Sequence, residues 1–285
     1  MQMEAKADLR LREMTPKDLP GAYALSREVK WPHRLEDWEL MLRIGTGLVA
    51  ESDGEIVGTI MGFPYGEAIA TLGMVIVSER RRGSGLGRKL MDAMIARLSP
   101  RAIQLNATPD GLSLYKSQGF EPVGSIHQHQ GAAFKAPMPK LRPKERVRPM
   151  GAADAARLAE LDRRASGFER GEMFAEVLKQ AQGVVLDRDG EAVGFALFRR
   201  FGHGQVIGPV VAPDREGART LITHWLGANA GMFIRLDVPG DSGLTDWLQD
   251  LGLEGVDRVV TMVRGTAPER AQGVAAFALA SQALG

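Results

Sequence analysis

A glycine-rich segment, Arg82-Gly83-Ser84-Gly85-Leu86-Gly87, has the composition and spacing of an anion-binding loop. It lies between an apolar run that contains Val75, Ile76 and Val77 and an amphipathic stretch that ends at Leu98, so the order predicts strand, loop and helix. Glycines at alternate positions let consecutive backbone N–H groups point at one anion at the positive end of the helix dipole. The alternative is an ordinary strand-to-helix turn. Neither a P-loop nor a Rossmann motif has this spacing.

A second segment with chemistry to offer is Leu114-Tyr115-Lys116-Ser117-Gln118-Gly119-Phe120. The Tyr115 phenol can protonate a leaving group, and its alternative role is that of a half-buried core residue. Together the two segments resemble the Arg-x-x-Gly-x-Gly and Leu-Tyr-x-x-x-Gly-Phe motifs of the GNAT acetyltransferases. The resemblance covers most of residues 8–135 and, more weakly, the rest of the chain.

The resemblance implies acetyl-coenzyme A as the acyl donor, with no metal. Loop amides would hold its pyrophosphate, the backbone of the preceding strand would pair with the pantetheine arm, and Tyr115 would be the general acid. Thr108 stands where many relatives have Asn, and its hydroxyl can still bond the pantetheine. The cofactor-binding residues implied are Val75, Ile76, Val77, Arg82, Gly83, Ser84, Gly85, Leu86, Gly87, Arg88 and Thr108.

The group that takes the proton from an acceptor amine stays open. Glu67, His33, His127 and His129 are the candidates, and each can equally be a surface or structural residue. The chain has no cysteine, so a cysteinyl acyl-enzyme is excluded, as are a disulfide framework and a zinc-thiolate site.

Composition limits the class of protein. The 285 residues carry a net charge of +1, which favours neither nucleic acid nor an anionic membrane as a partner. No apolar run is long enough to cross a bilayer and no signal sequence begins the chain given, so we expect a cytoplasmic protein. The length suffices for two hydrophobic cores.

An internal repeat supports two domains. The segment that begins at Gly47 recurs from Gly183 at an offset of 136 residues, and each copy reads as a β-hairpin around an Asp-Gly turn. We therefore predict an α/β (α+β) fold of two tandem GNAT-like domains, each a mixed, mostly antiparallel sheet flanked by helices. The predicted bounds are 8–135, a linker at 136–145, and 146–285.

The second copy lacks the glycine loop. Asp214 and Glu216 stand where a pyrophosphate would lie, and Trp247 replaces the phenol. We expect a non-catalytic second domain, with the apolar tail at 273–284 packed on a domain surface. The predicted function is N-acetyl transfer to a small-molecule or protein amine in a ternary complex. The alternative is a non-catalytic acyl-coenzyme A sensor; the acceptor and the oligomeric state are open.

Overall fold

The computed structural model describes residues 9–134, 136–137 and 139–285. The strands are β1 (Leu9–Glu13), β2 (Thr46–Ser52), β3 (Glu55–Tyr65), β4 (Ile69–Val77), β5 (Ala102–Ala107), β6 (Glu121–Ala132), β7 (Glu145–Pro149), β8 (Ala181–Arg188), β9 (Glu191–Phe201), β10 (Gly204–Ala212), β11 (Phe233–Pro239), β12 (Glu254–Arg264) and β13 (Ala275–Ala278). The helices are α1 (Leu19–Glu28), α2 (Leu35–Ile44), α3 (Leu86–Leu98), α4 (Leu112–Ser117), α5 (Ala155–Ser166), α6 (Gly171–Leu178), α7 (Arg215–Ala228) and α8 (Thr245–Asp250). Residue 8 and Lys135, which bound the first predicted domain, and Met138 of the predicted linker lie outside the described residues.

The internal repeat is confirmed by the element order. Strands β1 to β6 with their four helices are repeated as β7 to β12 with theirs. The hairpin turns correspond residue by residue: Asp53 and Gly54 have φ of +53° and +81°, and Asp189 and Gly190 have +54° and +90°. Two successive positive φ angles are the type I′ geometry that Asp-Gly favours.

The two halves exchange a strand within one 13-stranded sheet. Strand β12 of the second half pairs with β5 of the first, while β6 of the first half pairs with β11 of the second. The exchanged strands β6 and β12 also pair with each other, antiparallel, at the centre of the sheet. Each half is therefore completed by a strand from the other.

The helices cover the sheet in three apolar clusters. Helix α3 packs on the first half through Leu90 and Met94, and α7 packs on the second half through Leu221 and Ile222. On the opposite face, α1, α2, α5 and α6 share one core that joins both halves and includes the fully buried Trp38. Because this cluster draws on both halves, it holds them in one packed unit.

Two adjacent parallel strands separate in each half. Strand β4 pairs with β5 only from Ile69 to Leu72. Its pairing with β3 skips Met74 and Val75, a β-bulge in which Met74 takes φ of +54°. Beyond Leu72 the β5 side of β4 therefore has no sheet partner among the described residues, and an open edge faces the gap.

The corresponding gap of the second half is closed by the chain itself. Strand β10 pairs with β11 only at Gln205 and Val206, and further along it pairs antiparallel with β13. The prediction that the tail at 273–284 packs on a domain surface is therefore wrong for Ala275–Ala278, because these residues form β13, a strand of the sheet. The remainder of the tail continues to the first half, where Thr71 Oγ1 donates to the Ala283 carbonyl at 2.9 Å.

No helix among the described residues is long and apolar enough to cross a membrane.

One buried ion pair connects α5 to the tail. Arg170 and Asp162 are 2% and 1% exposed, with Nε and Oδ2 at 2.7 Å, and Arg170 Nη1 also donates to the Leu284 carbonyl. We expect Arg170→Met to lower the free energy of unfolding by about 3 kcal/mol, because the Asp162 carboxylate would stay buried without its partner. Arg163→Met is the matched control: both side chains of its pair with Glu160 are about half exposed, so solvent screening should leave the free energy of unfolding nearly unchanged. Urea denaturation of both variants measures the free energy of unfolding. Equal losses of stability in the two variants would contradict the stabilising role of the buried Arg170–Asp162 pair.

Candidate functional site

A cleft of about 840 Å³ lies between the separated ends of β4 and β5 and the start of α3; we call it the β4 cleft. Ten of the eleven residues predicted from the sequence line it: Val75, Ile76, Val77, Arg82, Gly83, Gly85, Leu86, Gly87, Arg88 and Thr108. The exception is Ser84, whose hydroxyl donates to the Arg81 carbonyl at 2.6 Å.

The glycine loop presents free backbone donors to this cleft. Gly83 and Gly85 have φ of +75° and +78°, a conformation that glycine adopts without strain, and Gly85 is the N-cap of α3. The first backbone donor within the helix is Lys89, which bonds the Gly85 carbonyl. The N–H groups of residues 86–88 therefore have no intrahelical acceptor, and they lie at the positive end of the helix dipole.

Basic side chains surround the loop. Arg82 is exposed and lines the cleft, and Arg88 lines it while donating to Ser117 Oγ at 2.7 Å. Arg80 is paired with Glu55, and Arg81 donates to Ser52 Oγ. The loop thus combines backbone donors with positive charge, which suits a polyphosphate.

The β-bulge of β4 forms the inner end of the cleft. Met74 holds a left-handed conformation that costs a non-glycine residue about 1–2 kcal/mol. Thr59 Oγ1 stabilises it by donating to the Met74 carbonyl at 2.9 Å in a buried position. Strain of this kind is retained at functional sites, and here Val75, the residue after Met74, lines the cleft.

Tyr115 lies in the opposite wall of the cleft, on α4. It is 8% exposed, and burial raises its pKa to about 12, so the phenol is protonated at neutral pH. Phe120 packs against its ring at 6.2 Å between centroids. Gly111, which the sequence analysis did not single out, makes room for the phenol: a Cβ there would stand 2.5 Å from the Tyr115 ring.

A smaller cavity of about 100 Å³ adjoins the β4 cleft, and we call it the interface cavity. The two share Trp31 and Thr108 in their linings, and Met74 of the bulge also lines the smaller one. The second half contributes Phe201, Arg235, Asp257, Ser281, Gln282 and Ala283. None of these was predicted, because no sequence pattern near them signals a site and the strand exchange alone brings them to the first half.

Of the four residues considered as proton acceptors, His33 lines the interface cavity. Burial lowers its pKa to about 4, so the imidazole is neutral at pH 7. His129 is fully buried and bonds the Leu253 carbonyl, and His127 contacts Thr245 and Ser125. Glu67 lies in the exposed turn between β3 and β4, at the other end of β4.

In the second half, the protein's own atoms occupy both the strand gap and the helix N-terminus that correspond to the β4 cleft. Strand β13 occupies the gap beside β10. Asp214 caps α7 by accepting the Gly217 N–H at 2.9 Å and pairs with Arg142 at 2.8 Å. The structure places Leu248, and not the predicted Trp247, at the position of Tyr115, because the Leu253 N–H bonds the Leu248 carbonyl as the Phe120 N–H bonds the Tyr115 carbonyl. Leu248 offers no hydroxyl either, and Trp247 carries the Arg219 guanidinium on its face. Among the described residues, no cluster of three His, Cys, Asp or Glu side chains could hold a metal ion.

Family models match both halves. Acetyltransferase (GNAT) domain models match residues 43–122 and residues 158–275. An uncharacterized N-acetyltransferase of Bacillus subtilis, YitH, is 28% identical over 283 residues, which is 96% of this chain and 98% of the relative.

Solved structures share the fold. A structure from Pyrococcus horikoshii, described as an acetyltransferase, superposes with a TM-score of 0.82 at 19% identity, covering 100% of this chain and 98% of the other. A tandem GNAT protein from the clavulanic acid biosynthesis pathway superposes with a TM-score of 0.66 at 16% identity, covering 90% and 98%. With an acetyltransferase domain recognised in each half and the whole fold shared with tandem relatives, the chain belongs to the GNAT superfamily and is an acyltransferase.

Proposed function

We propose that the chain transfers an acetyl group from acetyl-coenzyme A to a primary amine by direct attack in a ternary complex. The observation that carries this is the junction of the β4 cleft with the interface cavity at Trp31 and Thr108. A cofactor in the cleft would bring its thioester to that junction, and an amine in the cavity would meet it there.

The cleft supplies the contacts that the cofactor needs. The loop amides and Arg82 bind the pyrophosphate, and the open edge of β4 at Val75 and Val77 pairs with the pantetheine as an added strand would. Thr108 offers a hydroxyl to the same arm. The family fold supports an acyl-coenzyme A in general, and the acetyl group is our proposal.

Each bond and each proton of the proposed transfer can be accounted for. The acceptor ammonium first releases one proton to solvent; His33 lines the interface cavity, but its pKa of about 4 makes the imidazole too weak a base to hold that proton. The amine nitrogen then attacks the thioester carbonyl carbon, the carbon–sulfur bond breaks, and the thiolate takes the Tyr115 proton. The second amine proton leaves as the amide forms and restores the phenol.

The second half is proposed to be non-catalytic. Strand β13 takes the backbone edge that a pantetheine would use, and the Asp214 carboxylate takes a helix N–H that a pyrophosphate would use. What the second half supplies instead is strand β12 and a wall of the interface cavity. The cytoplasmic location and the absence of nucleic-acid and membrane partners stay predictions from composition.

A panel of primary amines, including lysine-containing peptides, tests the activity. We expect steady release of coenzyme A from acetyl-coenzyme A that depends on both the protein and an amine. The alternative, an acyl-coenzyme A sensor, predicts binding of the cofactor with no release above the rate without amine. That second result, across the whole panel, would contradict an acetyltransferase.

A further inference from the structure

The interface cavity carries a carboxylate that has no ion-pair partner among the described residues. Asp257 follows a β-bulge in β12 and lines the cavity. Among the described residues, its one side-chain hydrogen bond comes from the Arg258 N–H to Oδ1 at 2.8 Å. An exposed carboxylate at a cavity wall attracts a cationic group such as an ammonium.

The same cavity carries a guanidinium with one nitrogen to spare. Arg235 is 9% exposed, and its Nε and Nη2 each donate to Asp237 at 2.9 Å. Its Nη1 makes no hydrogen bond within the described part of the chain, although Arg235 lines the cavity. A guanidinium N–H forms strong, charge-assisted hydrogen bonds with an anionic oxygen such as that of a carboxylate.

A second arginine adds positive charge behind this wall. Arg199 is 4% exposed and forms no ion pair with any described residue. Its Nη2 donates to the Ala280 carbonyl at 2.8 Å, and its Nε is buried without a partner. Burial lowers its pKa to about 10, so it is still charged at pH 7.

The two guanidiniums share one aromatic neighbour. Arg199 and Arg235 lie 5.1 and 5.3 Å from the centroid of Phe201, which itself lines the cavity. Asp237 balances one of the two charges, and the other nearby carboxylate, Asp37, is already paired with Arg34 at 2.8 Å. The hydrogen bond from Arg199 to the Ala280 carbonyl does not require the second charge, because a neutral side chain could donate it without the cost of burying a charge. The excess charge is explained by an anionic group that arrives with the ligand.

We propose that the acceptor is a small amino-carboxylate: an amine that also carries a carboxylate, as an amino acid does. Its carboxylate binds Arg235 Nη1 in the field of Arg199, and its amino group lies between Asp257 and the bulge of β4. This inference rests on the proposed function and names its substrate class. The volume of about 100 Å³ limits the enclosed part to a few non-hydrogen atoms.

Matched pairs of amines test the inference: glycine with methylamine, alanine with ethylamine, and 4-aminobutyrate with propylamine. The members of each pair differ by one carboxylate. We expect kcat/KM to be at least tenfold higher for the carboxylate-bearing member of the best pair. Acetylation of the plain amines at equal or higher kcat/KM would overturn the amino-carboxylate proposal and leave the acetyltransferase function standing.

Two variants assign the ends of the ligand. Asp257→Asn should raise KM for the acceptor about tenfold, whereas Glu254→Gln, an exposed change on the same strand, should not. The double variant Arg235→Gln and Asp237→Asn removes the guanidinium without leaving a buried carboxylate uncompensated, and it should abolish the preference for carboxylate-bearing amines. Unchanged calorimetric affinity for acetyl-coenzyme A shows that each variant is folded. A double variant that retains the preference would overturn the role of Arg235.

Calorimetry with the amino-carboxylates in the presence of coenzyme A separates binding from turnover. Binding that the double variant abolishes, without acetylation of any amine, would support the ligand class and overturn the proposed reaction. Absence of binding together with acetylation of other amines would overturn the ligand class alone.

Discussion

Tyr115→Phe is expected to lower turnover by about 10²-fold while the affinity for acetyl-coenzyme A changes little. The substitution keeps the ring that packs against Phe120 and fills the space beside Gly111. It removes the hydroxyl, which is the proton source proposed for the leaving thiolate. Because burial raises the pKa of Tyr115 to about 12, the acid form is present throughout the neutral range, and its ionisation should not limit the rate below pH 10.

Tyr23→Phe is the matched control, since Tyr23 lies on α1, half-buried and outside the lining of the β4 cleft. Initial rates with a good acceptor, under conditions where chemistry limits the rate, compare the two variants. A Tyr115→Phe rate within about twofold of the wild-type rate would assign the proton to another group. A parallel loss in cofactor affinity would instead indicate that the hydroxyl contributes to cofactor binding.

Local sequence patterns predict much of the secondary structure. The apolar spacing of Leu35, Trp38 and Leu42 predicts a helix over 35–44, and α2 has those bounds. The Asp-Gly turns and the glycine loop also follow from residue type alone, because positive φ angles favour glycine over short distances. The tandem arrangement of two GNAT-like domains followed from the repeat and from two motifs.

The strand exchange could not be predicted from these patterns. Strands β6 and β12 occupy equivalent places in the repeat, so each could pair with β5 or with β11 by local pattern alone. The choice is made by packing of the whole sheet. For the same reason the interface cavity was missed: Arg235 and Asp257 reach the first half only through this exchange.

The tail was misjudged for a related reason. A short, small and apolar segment such as Ala275–Ala278 reads equally well as a surface cover or as a buried strand. Its place is decided by the unpaired edge of β10, which needs a backbone partner when buried. In the first half the equivalent edge of β4 is left open, and this difference between the halves underlies the last prediction.

We expect each chain to bind one acetyl-coenzyme A, and Gly85→Val to lower its affinity at least tenfold, or by about 1.4 kcal/mol. Gly85 has φ of +78° and no atom within 4 Å of a Cβ built on it, so valine would fit sterically yet strain the backbone. Relief of that strain would turn the amides of the loop away from the pyrophosphate, and the side chain would stand at the helix N-terminus where the anion binds.

Gly190→Val supplies the control. Gly190 has φ of +90° and equally open surroundings, but it lies at the tip of the β8–β9 hairpin in the second half. Both variants carry the same kind of strain, so a difference between them in calorimetric affinity reports on the loop's contact with the cofactor. A folded Gly85→Val protein that binds as tightly as Gly190→Val would contradict the loop assignment.

The stoichiometry tests the division of labour between the halves. For a second molecule to bind, β13 would have to leave β10, and Asp214 would have to release the Gly217 N–H and its pair with Arg142. These contacts occupy the edge and the donors that the cofactor would use, and the Asp214 carboxylate would also repel a pyrophosphate. Saturation at one cofactor per chain, lost in Gly85→Val with no second site revealed, is the expected outcome. A stoichiometry of two would mean that the second half opens its cleft, and both halves would then be candidate enzymes.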